Sequence, residues 1–322
     1  MPRLRRWAGA GAGLDRPTRA GQDAATPDRK RLMRRQTATA TGFAAILLWS
    51  LLALFTVGSA PVPPLLLNAM CFGLGGGIGL IWIATGRGFG VLSGVRWYVY
   101  AAGTAVFFGY HALYFMAFRL ARPLGVEAQA GLIAYLWPLF IVLLSGLLPG
   151  ERLRRGHVIG ACIAFSGAAL IVLRGSAWQG GSTAALPMAL AFLCALIWSG
   201  YSVASRALGE VPSESVVIFC LATAALSVPA HLMFETTAWP ASMSAWLAVL
   251  ALGTGPVGAA FFFWDIGMKK GDIQLLGVAS YVAPLLSTTA LIAAGITPAT
   301  PMLLVSAALI AGGAVLAARA NR

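Results

Sequence analysis

Apolar runs of about twenty residues, separated by short polar joints, recur along this chain from residue 38 to residue 318. As a helix rising ~1.5 Å per residue, a run of that length crosses the hydrocarbon core of a bilayer. Ten spans are predicted, at about 38–58, 62–85, 97–118, 126–148, 156–174, 184–206, 213–234, 243–264, 273–295 and 301–318. The expected fold is an all-α membrane protein of ten transmembrane helices.

Two of these runs share one design. GVEAQAGLIAYLWPLFIVLLSGLL starts at Gly125, and GDIQLLGVASYVAPLLSTTALIAA starts at Gly271. Gly131 and Gly277, Tyr135 and Tyr281, and Pro138 and Pro284 all keep an offset of 146. LLWS at Leu47–Ser50 returns as LIWS at Leu196–Ser199, and SGAALIV at Ser166–Val172 meets GGAVLAA at Gly312–Ala318. Each half therefore holds five spans, at 37–175 and 183–318. Because five is odd, the second copy enters the membrane from the opposite side, which predicts two inverted five-helix repeats. The halves have drifted: Glu151 stands opposite Thr297. Proline in a spanning helix removes a backbone hydrogen bond that other groups must replace. Irregular helices at matching places of two halves point to a transporter's binding site. Pro138 and Pro284 are accordingly expected to be hinges.

Composition agrees with this pattern. The 322 residues are 59% hydrophobic and 10% charged, with mean hydropathy +0.81, whereas a soluble domain is about a quarter charged. A net charge of +13 could suggest nucleic acid, but ten of the 23 Lys and Arg lie in residues 1–35. Residues 1–36 carry too little apolar content to fold and have no long apolar core of a secretory signal. They are expected to be either a disordered cytoplasmic tail or sequence ahead of a start at Met33. With the N-terminus inside, twenty of the 23 Lys and Arg fall on the inner side. Arg119, Arg122 and Arg174 alone fall outside. That bias predicts an inner-membrane protein with both termini cytoplasmic.

Little in the chain suits catalysis. It has no phosphate-binding glycine loop, HExxH or G-x-S-x-G elbow, and its three histidines fall in different spans. No enzyme, metal site, cofactor or nucleic-acid partner is expected. Gly73–Gly79 reads as close helix packing. The four cysteines lie in apolar segments without metal or disulfide spacing and read as small packing residues. Glu127, Glu214, Glu235, Asp265 and Asp272 are placed at or beyond span ends, with Arg119 and Arg122 as local ion partners of Glu127. His111 lies well inside span three, either satisfied by a backbone carbonyl or facing a substrate.

Aromatic residues supply the candidate site. Phe107, His111, Tyr114 and Phe118 share one helix face, as do Cys194, Trp198, Tyr201 and Ser205. Trp49 and Trp137 sit near mid-span, and Tyr135 and Tyr281 mark the proline helices. Mid-membrane Tyr and Trp need partners for their polar tips or a hydrated cavity; tight packing is expected to claim Phe107 and one of Trp49 or Trp137. The candidate substrate-binding residues are His111, Tyr114, Tyr135, Trp198, Tyr201, Tyr281, Trp49 and Trp137.

GFAAILLWS, AYLWP followed by GERL, LAFLCALIWSGY and GVASYVAPLLS together resemble the drug/metabolite transporter superfamily with its two EamA repeats. Within it, the chain is most similar to the YddG-type aromatic amino acid exporters, over residues from about 38 to 318. The resemblance implies a central cavity built by the first four helices of each half, with helices five and ten set aside. It implies an exporter of amino acids with large or aromatic side chains, working by alternating access as the halves rock. The alternatives are export of other amphiphilic metabolites or cationic drugs, or a non-transporting receptor or scaffold. The expected partners are a small-molecule amino acid and the lipid bilayer, and a monomer is compatible with the sequence.

Overall fold

The computed structural model describes residues 26–173, 182–296 and 298–320. Arg174, Thr297, Arg322 and the first 25 residues of the expected tail lie outside them. In chain order the α-helices are α1 Thr26–Trp49, α2 Leu52–Gly58, α3 Pro64–Thr85, α4 Gly90–Ser93, α5 Trp97–Ala121, α6 Glu127–Ala134, α7 Trp137–Ser145 and α8 Arg155–Leu173. They continue as α9 Ala185–Ala207, α10 Ser215–Phe234, α11 Met243–Thr254, α12 Ala260–Lys270, α13 Ile273–Ala279, α14 Val282–Ala293 and α15 Met302–Ala320. Helix α1 starts at Thr26, within the last part of the expected tail.

Among the described residues, eight helical stretches are long and apolar enough to cross a membrane. Gln129–Ser145 and Arg155–Leu170 are shorter apolar helices. Continuous apolar sequence forms helices here because lipid offers backbone groups no partners, so each segment bonds internally. Where helices start, side chains supply the missing acceptors. The Ser242 hydroxyl accepts from the Ala245 N–H at 3.2 Å, and Asp272 Oδ1 from the Leu275 N–H at 3.0 Å. Helix α3 is capped from elsewhere: Glu235 accepts from the Leu65 and Leu66 N–H groups at 2.9–3.2 Å, and His231 Nδ1 holds it at 2.9 Å.

Four spans are irregular. The first is interrupted at Ser50–Leu51, between α1 and α2. A π-helical turn over Gly255–Ala259 joins α11 to α12. The proline-bearing segments break at Tyr135–Leu136 and Ser280–Tyr281. Pro138 and Pro284 therefore stand in the first turns of α7 and α14, where helix N–H groups have no intrahelical partner. The backbone at each break stays close to the right-handed helical region, so each proline follows a two-residue turn within one apolar stretch.

Glycine pairs bring the two halves of the chain together. A Cβ on Gly75 of α3 would lie 2.7 Å from the Gly258 Cα, so the patch at Gly73–Gly79 is a packing surface. A Cβ on Gly160 of α8 would lie 2.5 Å from the Gly313 carbonyl oxygen of α15, beside Ala164 and Ala317. Small residues of this kind let membrane helices approach closely. Gly77 points to open space. Gly160→Ala is expected to destabilise the protein by about 1–3 kcal/mol through overpacking against rigid backbone. Gly77→Ala should be neutral or stabilising by up to about 1 kcal/mol. Thermal unfolding in detergent checks the pair, and equal midpoints would contradict the packing account.

Candidate binding cavity

A cavity of about 490 Å³ lies within the bundle. It runs from the aromatic centre to the turn that joins α2 and α3, where Val57, Val62 and Pro64 form its walls. Both helix breaks face it, one through Ala134, Tyr135 and Trp137, the other through Ser280 and Ala283. Among the described residues, none of α8 or α15 lines it.

Trp49 is the centre of the aromatic wall. Its ring centroid lies 6.2 Å from Trp137, 5.9 Å from Trp198, 5.9 Å from Phe261 and 5.1 Å from Trp264. Its Nε1–H donates to the Pro256 carbonyl at 3.0 Å, satisfying an oxygen in the π-turn. Trp264 is fixed behind the wall by donating to the Ser202 hydroxyl at 3.0 Å. Trp198 also meets Tyr110 at 5.6 Å, and Tyr110 stacks on Tyr114 at 6.1 Å. His111 is held by the Phe107 carbonyl at 2.7 Å and sets its ring against Phe72 at 4.9 Å.

Six of the eight residues picked from sequence share this cavity: Trp49, His111, Tyr114, Tyr135, Trp137 and Trp198. The other two do not line it. Tyr201 packs behind Trp198, at 5.5 Å, and against Phe107 at 5.4 Å. Tyr281 is fully buried against Phe165 of α8, at 5.9 Å, so the two symmetry-related tyrosines have different surroundings. The small residues Ser280 and Ala283 face the cavity at that break. Sequence reasoning missed Tyr110, Phe261 and Asn68. Asn68 had a visible signal, an amide within the apolar run LLLNAMCF.

The opposite end of the bundle is charged and closed. Arg206 Nη1 donates to the carbonyls of Met268, Lys269 and Gly271 at 2.8–3.3 Å, and its other arm pairs with Glu151. Lys269 reaches Asp265 at 2.6 Å and the Val211 carbonyl at 2.9 Å. Arg35 pairs with Asp272 and Arg87 with Glu214, each at 3.3 Å. Asp265, expected beyond a span end, is buried within α12 because the helix continues past Trp264 to Lys270. Among the described residues, no ion pair joins Arg119 or Arg122 to Glu127, which corrects that expectation.

An apolar helical bundle with a central cavity, two matched helix breaks and one closed end defines a multi-pass membrane transporter. The chain belongs to the EamA-like transporter family, which matches it twice, at residues 37–173 and 185–319. It is 51% identical to the aromatic amino acid exporter YddG of Ancylobacter novellus, over 88% of this chain and 98% of that protein. The aromatic amino acid exporter YddG of Escherichia coli K12 is 25% identical over 90% of this chain and 99% of its own length. A crystal structure of a protein 50% identical in sequence superposes with a TM-score of 0.83, covering 89% of this chain and 100% of that one.

The Trp49–Pro256 bond yields a direct test of the cavity wall. Trp49→Phe keeps an aromatic ring but loses the hydrogen bond to the Pro256 carbonyl, which costs about 0.5–1.5 kcal/mol. Trp198→Phe trims a comparable ring with no such bond and should cost less. Thermal unfolding of both purified variants measures the difference; equal losses would contradict the role of the indole N–H.

Proposed function

We propose that this protein exports amino acids with large or aromatic side chains across the inner membrane by alternating access. The observation that carries this reading is the cavity wall. It is built from Trp, Tyr and Phe, and no Lys, Arg, Asp or Glu among the described residues lines it. Such a wall suits an apolar ring on a molecule of no net charge. Its volume falls within the range of sites that enclose small molecules, and the relatives that export aromatic amino acids are similar over nearly their whole length. Cationic drugs fit less well than zwitterions, because no carboxylate among the described residues lines the cavity to balance a net positive charge, although neutral acceptors can still receive an ammonium group. A scaffold has no use for two matched helix breaks around a cavity.

In this reading the bundle has ten spans in two inverted five-helix repeats, the two shorter apolar helices being spans four and five. Both termini are cytoplasmic, in keeping with the Lys and Arg bias of the loops. The Arg206 cluster then closes the cytoplasmic end while the cavity reaches the outer end, and rocking of the halves reverses the two. Trp49, His111, Tyr114, Tyr135, Trp137 and Trp198 contact the substrate; Tyr201 and Tyr281 support them from behind. Pro138 and Pro284 keep the breaks open as hinges. Alanine there supplies an N–H able to reach back to the carbonyls of Ala134 and Ser280 and bridge each break.

Liposomes loaded with labelled tryptophan, phenylalanine, methionine or alanine test the proposal. Saturable release of the first three through the purified protein is expected, and release of none would overturn the reading. Stacking on one ring is worth about 0.5–1.5 kcal/mol, so Trp198→Ala should weaken transport of aromatic substrates several-fold to about tenfold. Alanine transport should fall less. Pro138→Ala and Pro284→Ala should slow all substrates alike, and unchanged rates would make the breaks packing features only.

A further inference from the structure

Two polar atoms in the cavity have a hydrogen-bonding sense that their surroundings dictate. Asn68 is 6% exposed and projects from α3 into the cavity wall. Its Nδ2–H donates to the Ser227 hydroxyl at 2.8 Å, and Ser227 donates its own proton to the Thr223 carbonyl at 2.7 Å. A carbonyl only accepts, so the Ser227 proton is committed and its oxygen must accept from Asn68. The amide is thereby oriented without ambiguity. Its Oδ1 is left as an acceptor with no partner among the described residues.

His111 obeys the same logic. The Phe107 carbonyl at 2.7 Å can only accept, so Nδ1 carries the proton and Nε2 of the neutral ring is an acceptor. Both residues line the same cavity, and Phe72, one turn after Asn68 on α3, is in edge contact with the His111 ring. A carboxylate offers only lone pairs and is disfavoured beside such acceptors. An ammonium offers three donors.

We infer that Asn68, together with His111, forms the subsite that reads the substrate's α-ammonium group. Asn68 is then a specificity-determining residue, oriented by Ser227. The assignment deepens the amino-acid reading given above and rests on it for the identity of the substrate. It predicts that the aromatic ring points away from α3 toward Trp49 and Trp198.

Isothermal titration calorimetry on the purified full chain in detergent tests this with three probes. Phenylalanine carries both polar groups, phenethylamine only the ammonium, and 3-phenylpropanoate only the carboxylate. The natural protein should bind phenylalanine and phenethylamine and bind 3-phenylpropanoate more weakly. Loss of a hydrogen bond to a charged group should make Asn68→Leu about tenfold or more weaker for both ammonium compounds. 3-Phenylpropanoate should be unchanged, a selectivity that general misfolding would not produce. Asn68→Asp should shift preference further toward phenethylamine, and Ser227→Ala, which frees the amide to turn, should narrow the preference without abolishing it.

If phenethylamine binding depends on Asn68 but phenylalanine does not bind, the amino-acid reading fails and the subsite stands. If Asn68→Leu weakens phenylalanine and 3-phenylpropanoate equally, the subsite is overturned and the amino-acid reading survives. Binding of none of the three probes would overturn both.

Discussion

Lipid cannot hydrogen-bond a carbonyl or an amide, so a spanning helix can break only where protein or a water-filled space receives the freed groups. The cavity lies where this chain breaks its helices. The breaks at Tyr135–Leu136 and Ser280–Tyr281 both border it, and the π-turn at Gly255–Ala259 contributes Val257 to its wall. Trp49 connects the π-turn to the site itself: its ring forms the centre of the aromatic wall while its N–H satisfies the Pro256 carbonyl. The support of the irregular backbone and the shape of the site are therefore one arrangement. The regular spans α8 and α15 pack on each other through Gly160 and Gly313 and stay outside the cavity.

The two ends of the bundle are held by different forces. At the mouth, apolar side chains and the turn between α2 and α3 leave a path into the interior. At the other end, Arg206 gathers the carbonyls at the end of α12, where the helix dipole is negative, and also holds Glu151. The Lys269–Asp265 pair is buried beside it. Charges removed from water gain little net stability from pairing, but separating them without rehydration is costly. A closure of this kind suits a contact that must be firm when made and release when water enters.

Much of the architecture was legible in the sequence, because apolar length and an offset of 146 shared by the proline-bearing segments are one-dimensional signals. The same offset located both breaks to within a few residues of their prolines. What escaped was set by three-dimensional direction. Tyr135 and Tyr281 occupy matching positions, yet one faces the cavity and the other faces Phe165 of α8, a choice made by packing between distant segments. Asp265 was misplaced because a hydropathy reading ends the span where charge begins, at DIGMKK, whereas α12 continues through it with Lys269 as a buried partner. Asn68 escaped because only ionisable and aromatic groups were weighed. Its significance depends on Ser227, 159 residues away in sequence.

The proposed alternating access requires the Arg206 end to open while the cavity end closes. A chain with its four native cysteines replaced, carrying Glu151→Cys and Arg206→Cys, would be joined across that end by a short linker with a cleavable disulfide. Transport of phenylalanine into liposomes should stop when the two positions are linked and return, on cleavage, to the rate of the unlinked double variant. Transport at the unlinked rate while the bridge is intact would contradict the account.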